Sequence, residues 1–347
     1  MLIIDAVQPE LTKMSHSEFG KLYIKSPWKK VLYVHTPYCP SKCRYCICKS
    51  TVCREQSKVD EYATTFLIPQ IQAATAILKN VNFSEVYFGG GTPTYLSPAT
   101  IRRVFDSIPN FRDIPNKCIE GSPNTLQQAH IDLFKEYGFN FISVGIQSLQ
   151  RDVCTWQNRI YLSKDQIFHL SEVLHKSGIY FNYDLISYLG RGDFRDLPGL
   201  KEDLHFIMSE CRPSSINIHQ HHQTTYTTEK MICLYNVMRD ALATFPEYEC
   251  INARLLDNDA FNDIVYQAQY RFVREQRDFT HYMWNKYPEI PVMGWDIFSV
   301  GYIDDISPKS NAGNVSYKPG SETFKLVSFN KSLYDDYYAI RKEKGLI

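Results

Sequence analysis

Short apolar runs alternate with longer amphipathic segments over the first two thirds of the chain. The short runs are rich in β-branched and aromatic residues, which favour strands, and they cover residues 30–35, 85–88, 117–120, 139–145, 180–187 and 215–219. The segments between them carry apolar residues at helical spacing, at 58–79, 98–107, 125–136, 165–177 and 200–209. This alternation predicts a parallel sheet built from six consecutive strand–helix units.

The pattern changes after residue 219. Helical spacing predicts helices at 227–245 and 262–286, whereas residues 294–320 are rich in Gly, Asn, Ser and Pro and predict turns with short strands. Pro69 predicts a kink within the first long helix, because proline lacks the N–H that a helix interior uses. The chain is therefore divided into three parts: a polar lead-in (1–28), a strand–helix domain (29–220) and a C-terminal accessory region (221–347).

The balance of charges excludes two classes of partner. The chain has 347 residues, with 38 basic and 38 acidic side chains, so we expect neither a nucleic acid nor a membrane as partner. The first five residues are too short for the core of a signal peptide, and no apolar run reaches the length of a membrane span. We therefore expect a cytoplasmic protein.

One stretch, residues 33–48, concentrates the candidate chemistry. Cys39, Cys43 and Cys46 follow the spacing C-x3-C-x2-C, and Cys48 comes two residues later. Three thiolates this close in sequence can bind a [4Fe–4S] cluster and leave one iron without a protein ligand. The amino and carboxylate groups of S-adenosylmethionine can chelate such an iron, and reductive cleavage of this cofactor yields a 5′-deoxyadenosyl radical.

A zinc site and a set of buried thiols are the other interpretations of this stretch. Zinc usually takes four ligands in pairs, and no second C-x2-C follows downstream. Disulfides are disfavoured for cysteines this crowded in a chain without a secretory signal. The spacing therefore favours the cluster.

The same stretch resembles the radical S-adenosylmethionine (radical SAM) superfamily. The pattern Tyr33-x-His35-x-Pro37-Tyr38-Cys39, together with Cys48, is similar to the branch of oxygen-independent coproporphyrinogen III oxidases. The resemblance implies an α/β fold: a partial (β/α)6 TIM-like barrel, with a smaller C-terminal α+β region that covers the substrate. It also implies a [4Fe–4S] cluster, one or two molecules of S-adenosylmethionine, and a flavodoxin- or ferredoxin-type electron donor.

The expected cofactor contacts lie at the ends of predicted strands. Three consecutive glycines after the second strand remove every Cβ, so the backbone can approach a ligand closely. The resemblance implies that this segment binds the amino group of S-adenosylmethionine, and that acidic, amide and guanidinium side chains complete the site. The full set of expected cofactor-binding residues is Tyr33, Tyr45, Gly89, Gly90, Gly91, Thr92, Glu120, Gln147, Arg159 and Asp184.

Three further residues are candidates for catalysis: Cys48, His219 and His221. Cys48 could be a structural thiol, a ligand during cluster loading or a catalytic group, and in the similar branch the equivalent cysteine lies near a second S-adenosylmethionine. His219 and His221 would face the same way on a strand. They could bind a metal, donate protons or form a polar loop, and we favour lining of the substrate pocket.

The downstream half matches the branch only loosely. Residues 293–301 are a degenerate form of its Gly-x-Gly-Ala-x-Ser segment, and the His-Asn-x-x-Tyr-Trp motif of heme chaperones is missing. We also expect the terminal domains of the porphyrinogen oxidases to be absent. These departures favour the class C alkylating enzymes of the family, which transfer a methyl or methylene group to a small molecule. Oxidative decarboxylation of a porphyrinogen and heme carriage are the alternatives.

Overall fold

The computed structural model describes residues 29–46, 48, 50–73, 75, 79–253, 264–270, 295–301, 315–317 and 324–326. The predicted lead-in, 1–28, lies outside these residues. Among the described residues, no helix combines the length and the apolar character needed to cross a lipid bilayer.

The elements alternate as the sequence pattern predicts. The strands are β1 (Lys29–Thr36), β2 (Tyr38–Cys39), β3 (Thr51–Val52), β4 (Glu85–Gly90), β5 (Asn116–Gly121), β6 (Phe141–Gln147), β7 (Tyr180–Ser187), β8 (Ser215–Gln220), β9 (Tyr248–Ala253), β10 (Ile264–Tyr270), β11 (Trp295–Gly301), β12 (Val315–Tyr317) and β13 (Phe324–Leu326). The α-helices are α1 (Gln56–Tyr62), α2 (Ile68–Ala73), α3 (Pro98–Ser107), α4 (Gln128–Glu136), α5 (Arg151–Trp156), α6 (Lys164–Ser177), α7 (Leu197–Phe206) and α8 (Thr228–Thr244).

Six parallel strands form the centre of one nine-stranded sheet. The order in the sheet is β11-β1-β4-β5-β6-β7-β8-β10-β9, so the six predicted strands are neighbours in their order along the chain. β11 is parallel to β1, whereas β10 is antiparallel to both β8 and β9. The prediction of an α/β fold with six strand–helix units is therefore confirmed, and three C-terminal strands extend it at both edges.

The predicted helix at 262–286 is wrong where the structure describes it. Ile264–Tyr270 forms β10, which pairs with β8 from Gln269↔Ser215 to Ile264↔His219. The segment contains β-branched and aromatic residues, and the edge of β8 offers it a row of unpaired backbone groups. Helical periodicity in the sequence carries no information about an open strand edge elsewhere in the fold. The rest of the predicted helix lies outside the described residues.

The first long helix is interrupted before Pro69. α1 continues into a π-helical turn at Ala63–Leu67, and α2 then begins at Ile68. Proline cannot donate a helical hydrogen bond, so the preceding turn widens to accommodate it. The predicted interruption at Pro69 is confirmed as this wider turn.

An aromatic cluster packs the outer helices against the sheet. Phe105 of α3 is fully buried, and four rings have centroids 4.8–5.2 Å from its own: Phe88, Phe111, Tyr137 and Phe139. Phe88 lies on β4, directly before the glycine run. The aromatic core therefore fixes the position of β4, the strand that ends in the glycine run.

We expect Phe105→Ala to lower the free energy of unfolding by about 3–5 kcal/mol, because it leaves a cavity among four rings. Urea unfolding followed by circular dichroism measures the loss. Phe168, which is 39% exposed on α6, provides the matched control, and its change to Ala should cost less than about 0.5 kcal/mol. Equal losses in the two variants would contradict this account of the core.

Candidate functional site

The cysteine loop, residues 37–53, is closed by its own backbone. β1 leads into the loop, and the short strands β2 and β3 pair in parallel through Tyr38↔Thr51 and Cys39↔Val52. The N–H of Thr51 donates to the carbonyl of Pro37 at 2.6 Å, and the N–H of Cys53 donates to that of Cys39 at 3.0 Å. Cys39 lies on β2, and Cys43, Cys46 and Cys48 lie in the chain between the two paired strands.

The glycine run, Gly89–Gly91, lies directly against this loop. The N–H of Gly91 donates to the carbonyl of Thr36 at 2.6 Å, and that of Thr92 to the carbonyl of Tyr38 at 2.9 Å. A Cβ on Gly91 would lie 2.7 Å from the Tyr38 oxygen. Gly90 has φ +110°, and a Cβ there would lie 2.6 Å from the His35 ring. A larger residue at position 91 would therefore displace the cysteine loop, and one at position 90 would displace β1 at His35.

The three spaced cysteines lie close to one another without forming a disulfide. Cys39, Cys43 and Cys46 are half-buried, whereas Cys48 is exposed. Burial raises the pKa of Cys39, and the nearby Cys46 and Cys43 raise it further. A hydrogen bond with Cys48 lowers the pKa of Cys46 to about 6. The Oγ1 of Thr92 lies 3.3 Å from the sulfur of Cys39, which ties the glycine run to the first cysteine.

Arg159 connects the cysteine loop to the end of β6. Its guanidinium donates to the carbonyls of Gly145 and Ile146, to the Tyr45 hydroxyl at 2.8 Å and to the Cys43 sulfur at 3.8 Å. The sequence placed this guanidinium on the carboxylate of the cofactor. In the structure all three of its nitrogens already donate to protein atoms, so its contact with the cofactor stays a prediction.

The connection between α5 and α6 holds the same loop from outside. The N–H of Arg44 donates to the carbonyl of Gln157 at 3.0 Å, and the side-chain amide of Asn158 donates to the carbonyl of Lys42 at 2.9 Å. Together with Arg159, these contacts make residues 157–159 a clasp on the cysteine loop. The sequence pattern singled out only the last of these residues.

A pair of tyrosines and a carboxyl lie inside the barrel beside the loop. The Tyr87 hydroxyl donates to Glu120 at 2.5 Å, and the Tyr33 ring stacks on Tyr87 with centroids 6.1 Å apart. The pKa of Glu120 is raised to about 7. Burial is the largest cause, the hydrogen bond from Tyr87 acts in the opposite direction, and the charge of Asp184 adds to the rise. Burial also raises the pKa of Tyr33, with smaller contributions from Glu120 and Cys48. These groups are therefore neighbours in one polar interior.

Asp184 is the centre of a second polar network, which links neighbouring positions inside β6, β7 and β8. One carboxylate oxygen accepts from Ser143 at 2.7 Å, and the other accepts from Asn182 at 2.6 Å and Asn217 at 2.9 Å. The Nε2 of His219 also lies 3.1 Å from that second oxygen. Asp184 was expected to contact S-adenosylmethionine, and that contact stays a prediction.

His221 does not share the position of His219. β8 ends at Gln220, and the Nδ1 of His221 lies 2.9 Å from the hydroxyl of Thr224 in the following turn. The expectation that both histidines face the same way is therefore wrong, because the strand ends before the second one. His219 alone joins the Asp184 network.

Gln147 has a feature that fits a ligand. It ends β6 with φ +71°, at a register shift relative to β7. Its Oε1 is buried and has no hydrogen-bond partner among the residues that the structure describes. A buried acceptor without a donor is costly, so a hydroxyl or amino group from a bound molecule would satisfy it.

The sequence analysis missed four residues of the interior: Tyr87, Ser143, Asn182 and Asn217. The sequence contains a signal for two of them. Asn182 and Asp184 are separated by the buried Tyr183, and Asn217 and His219 by the buried Ile218. Polar residues at every second position of a buried strand face one side of the sheet.

Comparison with known proteins agrees with this geometry. The model of the radical SAM superfamily matches residues 33–197, which include the cysteine loop, the glycine run and the clasp. These residues form a radical SAM domain. The cofactors of such domains are a [4Fe–4S] cluster and S-adenosylmethionine.

Relatives with known names cover only part of the chain. The oxygen-independent coproporphyrinogen III oxidase of Salmonella typhimurium is 32% identical over 161 residues, which are 45% of this chain and 34% of that protein. The heme chaperone HemW of Buchnera aphidicola subsp. Acyrthosiphon pisum is 30% identical over 196 residues, 54% of this chain and 50% of that protein. The matches thus span a third to a half of these relatives.

A solved structure shares the fold. The coproporphyrinogen III oxidase HemN from Escherichia coli aligns with a TM-score of 0.66 at 19% identity, over 86% of this chain and 71% of that chain. Together with the parallel sheet, this similarity confirms the radical SAM type of partial barrel.

The cysteine loop of the radical SAM domain offers three thiolates to a cluster. Among the described residues, no group of three or more Cys, His, Asp or Glu side chains is placed to bind one ion. A [4Fe–4S] cluster takes each thiolate on a different iron, so its ligands lie further apart than those of zinc. Cys39, Cys43 and Cys46 would hold the cluster, while Arg159 offers positive charge beside Cys43.

We expect anaerobically reconstituted protein to hold about four irons per chain and to show a visible charge-transfer shoulder. Changing Cys39, Cys43 and Cys46 together to Ala should abolish both, because no other described group offers three thiolates on one loop. Cys233→Ala is the control, since this half-buried cysteine on α8 should be dispensable. Iron and sulfide analysis measures the result, and a cluster that survives the triple change would refute the assignment.

We expect Arg159→Ala to lower the free energy of unfolding of the cluster-free protein by about 1.5–3 kcal/mol, because charged hydrogen bonds to the loop are lost. Arg159→Lys should restore only part of this, since an ammonium cannot replace the guanidinium fork. The exposed Arg103 on α3, changed to Ala, is the control. Unchanged stability with weaker binding of S-adenosylmethionine would instead assign the guanidinium to the cofactor.

Proposed function

We propose that this chain is a radical SAM enzyme that cleaves S-adenosylmethionine at a cluster bound by Cys39, Cys43 and Cys46. The main support is the cysteine loop, which is locked to the glycine run at the strand ends and lies beside a polar barrel interior. When bound, the cluster supplies the electron that breaks a carbon–sulfur bond, and the products are methionine and a 5′-deoxyadenosyl radical.

The polar interior suits a cationic molecule. Glu120 and Asp184 are carboxyls in the same interior, and their mutual repulsion and burial keep the pKa of Glu120 at about 7. An ammonium or sulfonium group that enters this space would lower that pKa and turn Glu120 into a charged partner. S-adenosylmethionine carries both cations, and the unpartnered Oε1 of Gln147 offers an acceptor for its hydroxyl or amino group.

For the reaction itself, we favour transfer of a methyl or methylene group from a second S-adenosylmethionine to a small molecule. Cys48 supports this choice, because its exposed thiol hydrogen-bonds with the expected cluster ligand Cys46. Its charge also contributes to the raised pKa of Tyr33, so it lies beside the polar interior of Glu120 and Asp184. The two carboxyls of that interior also favour a second cation over a substrate rich in carboxylates.

Oxidative decarboxylation of a porphyrinogen is the second candidate. It is supported by the relatives named oxygen-independent coproporphyrinogen III oxidase, of which several are about a third identical over the matched residues. In that reaction every S-adenosylmethionine is cleaved reductively to methionine and the 5′-deoxyadenosyl radical, and none is consumed as a methyl donor. A heme carrier, in contrast, would form little 5′-deoxyadenosine and little S-adenosylhomocysteine.

The products made from methyl-deuterated S-adenosylmethionine distinguish these reactions. Reconstituted protein is incubated with dithionite and an extract of the native organism, and the products are measured by mass spectrometry. In alkylation the radical abstracts deuterium from the methyl group of the second molecule, so 5′-deoxyadenosine gains one deuterium. The second molecule then donates its carbon and leaves as S-adenosylhomocysteine in an amount that matches turnover.

The triple cysteine variant is the control for background cleavage, and Cys48→Ala tests the second molecule. We expect Cys48→Ala to keep the cluster and lower the yield of S-adenosylhomocysteine at least tenfold relative to 5′-deoxyadenosine, a loss of about 1.4 kcal/mol or more. If turnover is measurable but 5′-deoxyadenosine is unlabelled and no S-adenosylhomocysteine forms, the assigned reaction would change from alkylation to decarboxylation.

A further inference from the structure

A basic and aromatic patch lies on the outer side of the cysteine loop. We define it by Lys42, Arg44, Arg151, Trp156 and Tyr161. The Trp156 side chain is 61% exposed, and the guanidinium of Arg44 lies 5.0 Å from the centroid of its ring. The guanidinium of Arg151 lies 4.4 Å from the ring of Tyr161. Large exposed aromatic side chains that are grouped with cations are typical of a surface that binds a partner.

The patch is joined directly to the expected cluster ligands. Arg44 follows Cys43 in the chain, and its N–H donates to Gln157, the residue after Trp156. Two residues later, Arg159 contacts the sulfur of Cys43. A protein bound at Trp156 would therefore be connected to Cys43, an expected cluster ligand, through Gln157, Arg44 and Arg159.

The charge of the patch is local. The whole chain is neutral, with 38 basic and 38 acidic residues, whereas the patch carries three cations. The amine of Lys42 donates to the carbonyl of Cys48 at 2.9 Å and to Ser50 at 3.0 Å, so part of its charge is engaged within the loop. Asp152 is the exposed acid beside Arg151. The remaining positive charge complements an acidic partner and would steer its approach.

We propose that this patch docks an acidic one-electron carrier of the flavodoxin or ferredoxin class. The inference rests on the proposed function, because each reductive cleavage of S-adenosylmethionine consumes one electron. The reduced carrier is oxidised by one electron at the docked surface, and that electron passes through the cysteine loop to the cluster. Arg44 and Arg151 pair with carboxylates of the carrier, and Trp156 supplies the apolar contact at their centre.

The test compares two reductants. Reconstituted protein cleaves S-adenosylmethionine with either dithionite or a titrated, reduced bacterial flavodoxin, and 5′-deoxyadenosine is measured. Combining Arg151→Glu with Trp156→Ala should raise the half-saturating concentration of flavodoxin about tenfold or more, since each tenfold step corresponds to 1.4 kcal/mol. The rate with dithionite and the iron content should stay as in the unchanged protein, because Trp156 contacts Arg44 on the outer side of the cysteine loop and neither changed residue is an expected ligand of the cluster or of the cofactor.

Matched controls are Arg103→Glu on α3 and Tyr235→Ala on α8, which repeat the charge reversal and the loss of a half-exposed ring elsewhere. Calorimetric binding of oxidised flavodoxin to the cluster-bearing protein gives a readout independent of activity. The proposal is supported if the patch variant binds flavodoxin more weakly than the unchanged protein and the control variants do, and if this difference is larger at low salt. Equal binding and equal flavodoxin dependence in patch and control variants overturn it. If dithionite drives no cleavage in the unchanged protein, the proposed function fails, and the calorimetry still reports on docking.

Discussion

The contact between the glycine run and the cysteine loop is the constraint on which the site depends. Gly91 approaches the Tyr38 carbonyl so closely that a single Cβ would collide with it, and two backbone hydrogen bonds close the contact. Gly91 is therefore required by the cysteine loop, and Gly90 by the His35 ring and the Thr36 carbonyl of β1. This lock sets the position of the loop relative to β4, and through β4 relative to the aromatic core around Phe88.

The sheet protects the strand that leads into the loop. β1 would be the edge of a six-stranded sheet, but β11 pairs with it in parallel from Lys29↔Trp295 to His35↔Gly301. An edge strand beside the site would expose unpaired backbone groups and could shift in register. With β11 on one side and β4 on the other, β1 is held on both sides, and the cysteine loop starts from a fixed point.

The interior of the barrel is polar because side chains from neighbouring strands satisfy one another. Asp184 collects donors from β6, β7 and β8, whereas Glu120 has Tyr87 as its partner and keeps a raised pKa of about 7. The Asp184 carboxylate is thus stabilised by donors from the protein itself, whereas the pKa of Glu120 lies close to neutral pH. This difference makes Glu120 the more responsive of the two to a cation that enters the interior.

Sequence alone determined the parts of this protein that depend on local pattern. The alternation of apolar runs with amphipathic segments is enough for six parallel strands, and the spacing of Cys39, Cys43 and Cys46 is enough to predict a cluster there. The tertiary structure decided what depends on partners distant in the chain. Residues 264–270 form a strand because β8 offers an open edge, and Arg159 turns to the cysteine loop because carbonyls of β6 and Tyr45 surround it. Such partners come together only when the sheet has formed, so no local pattern can encode them.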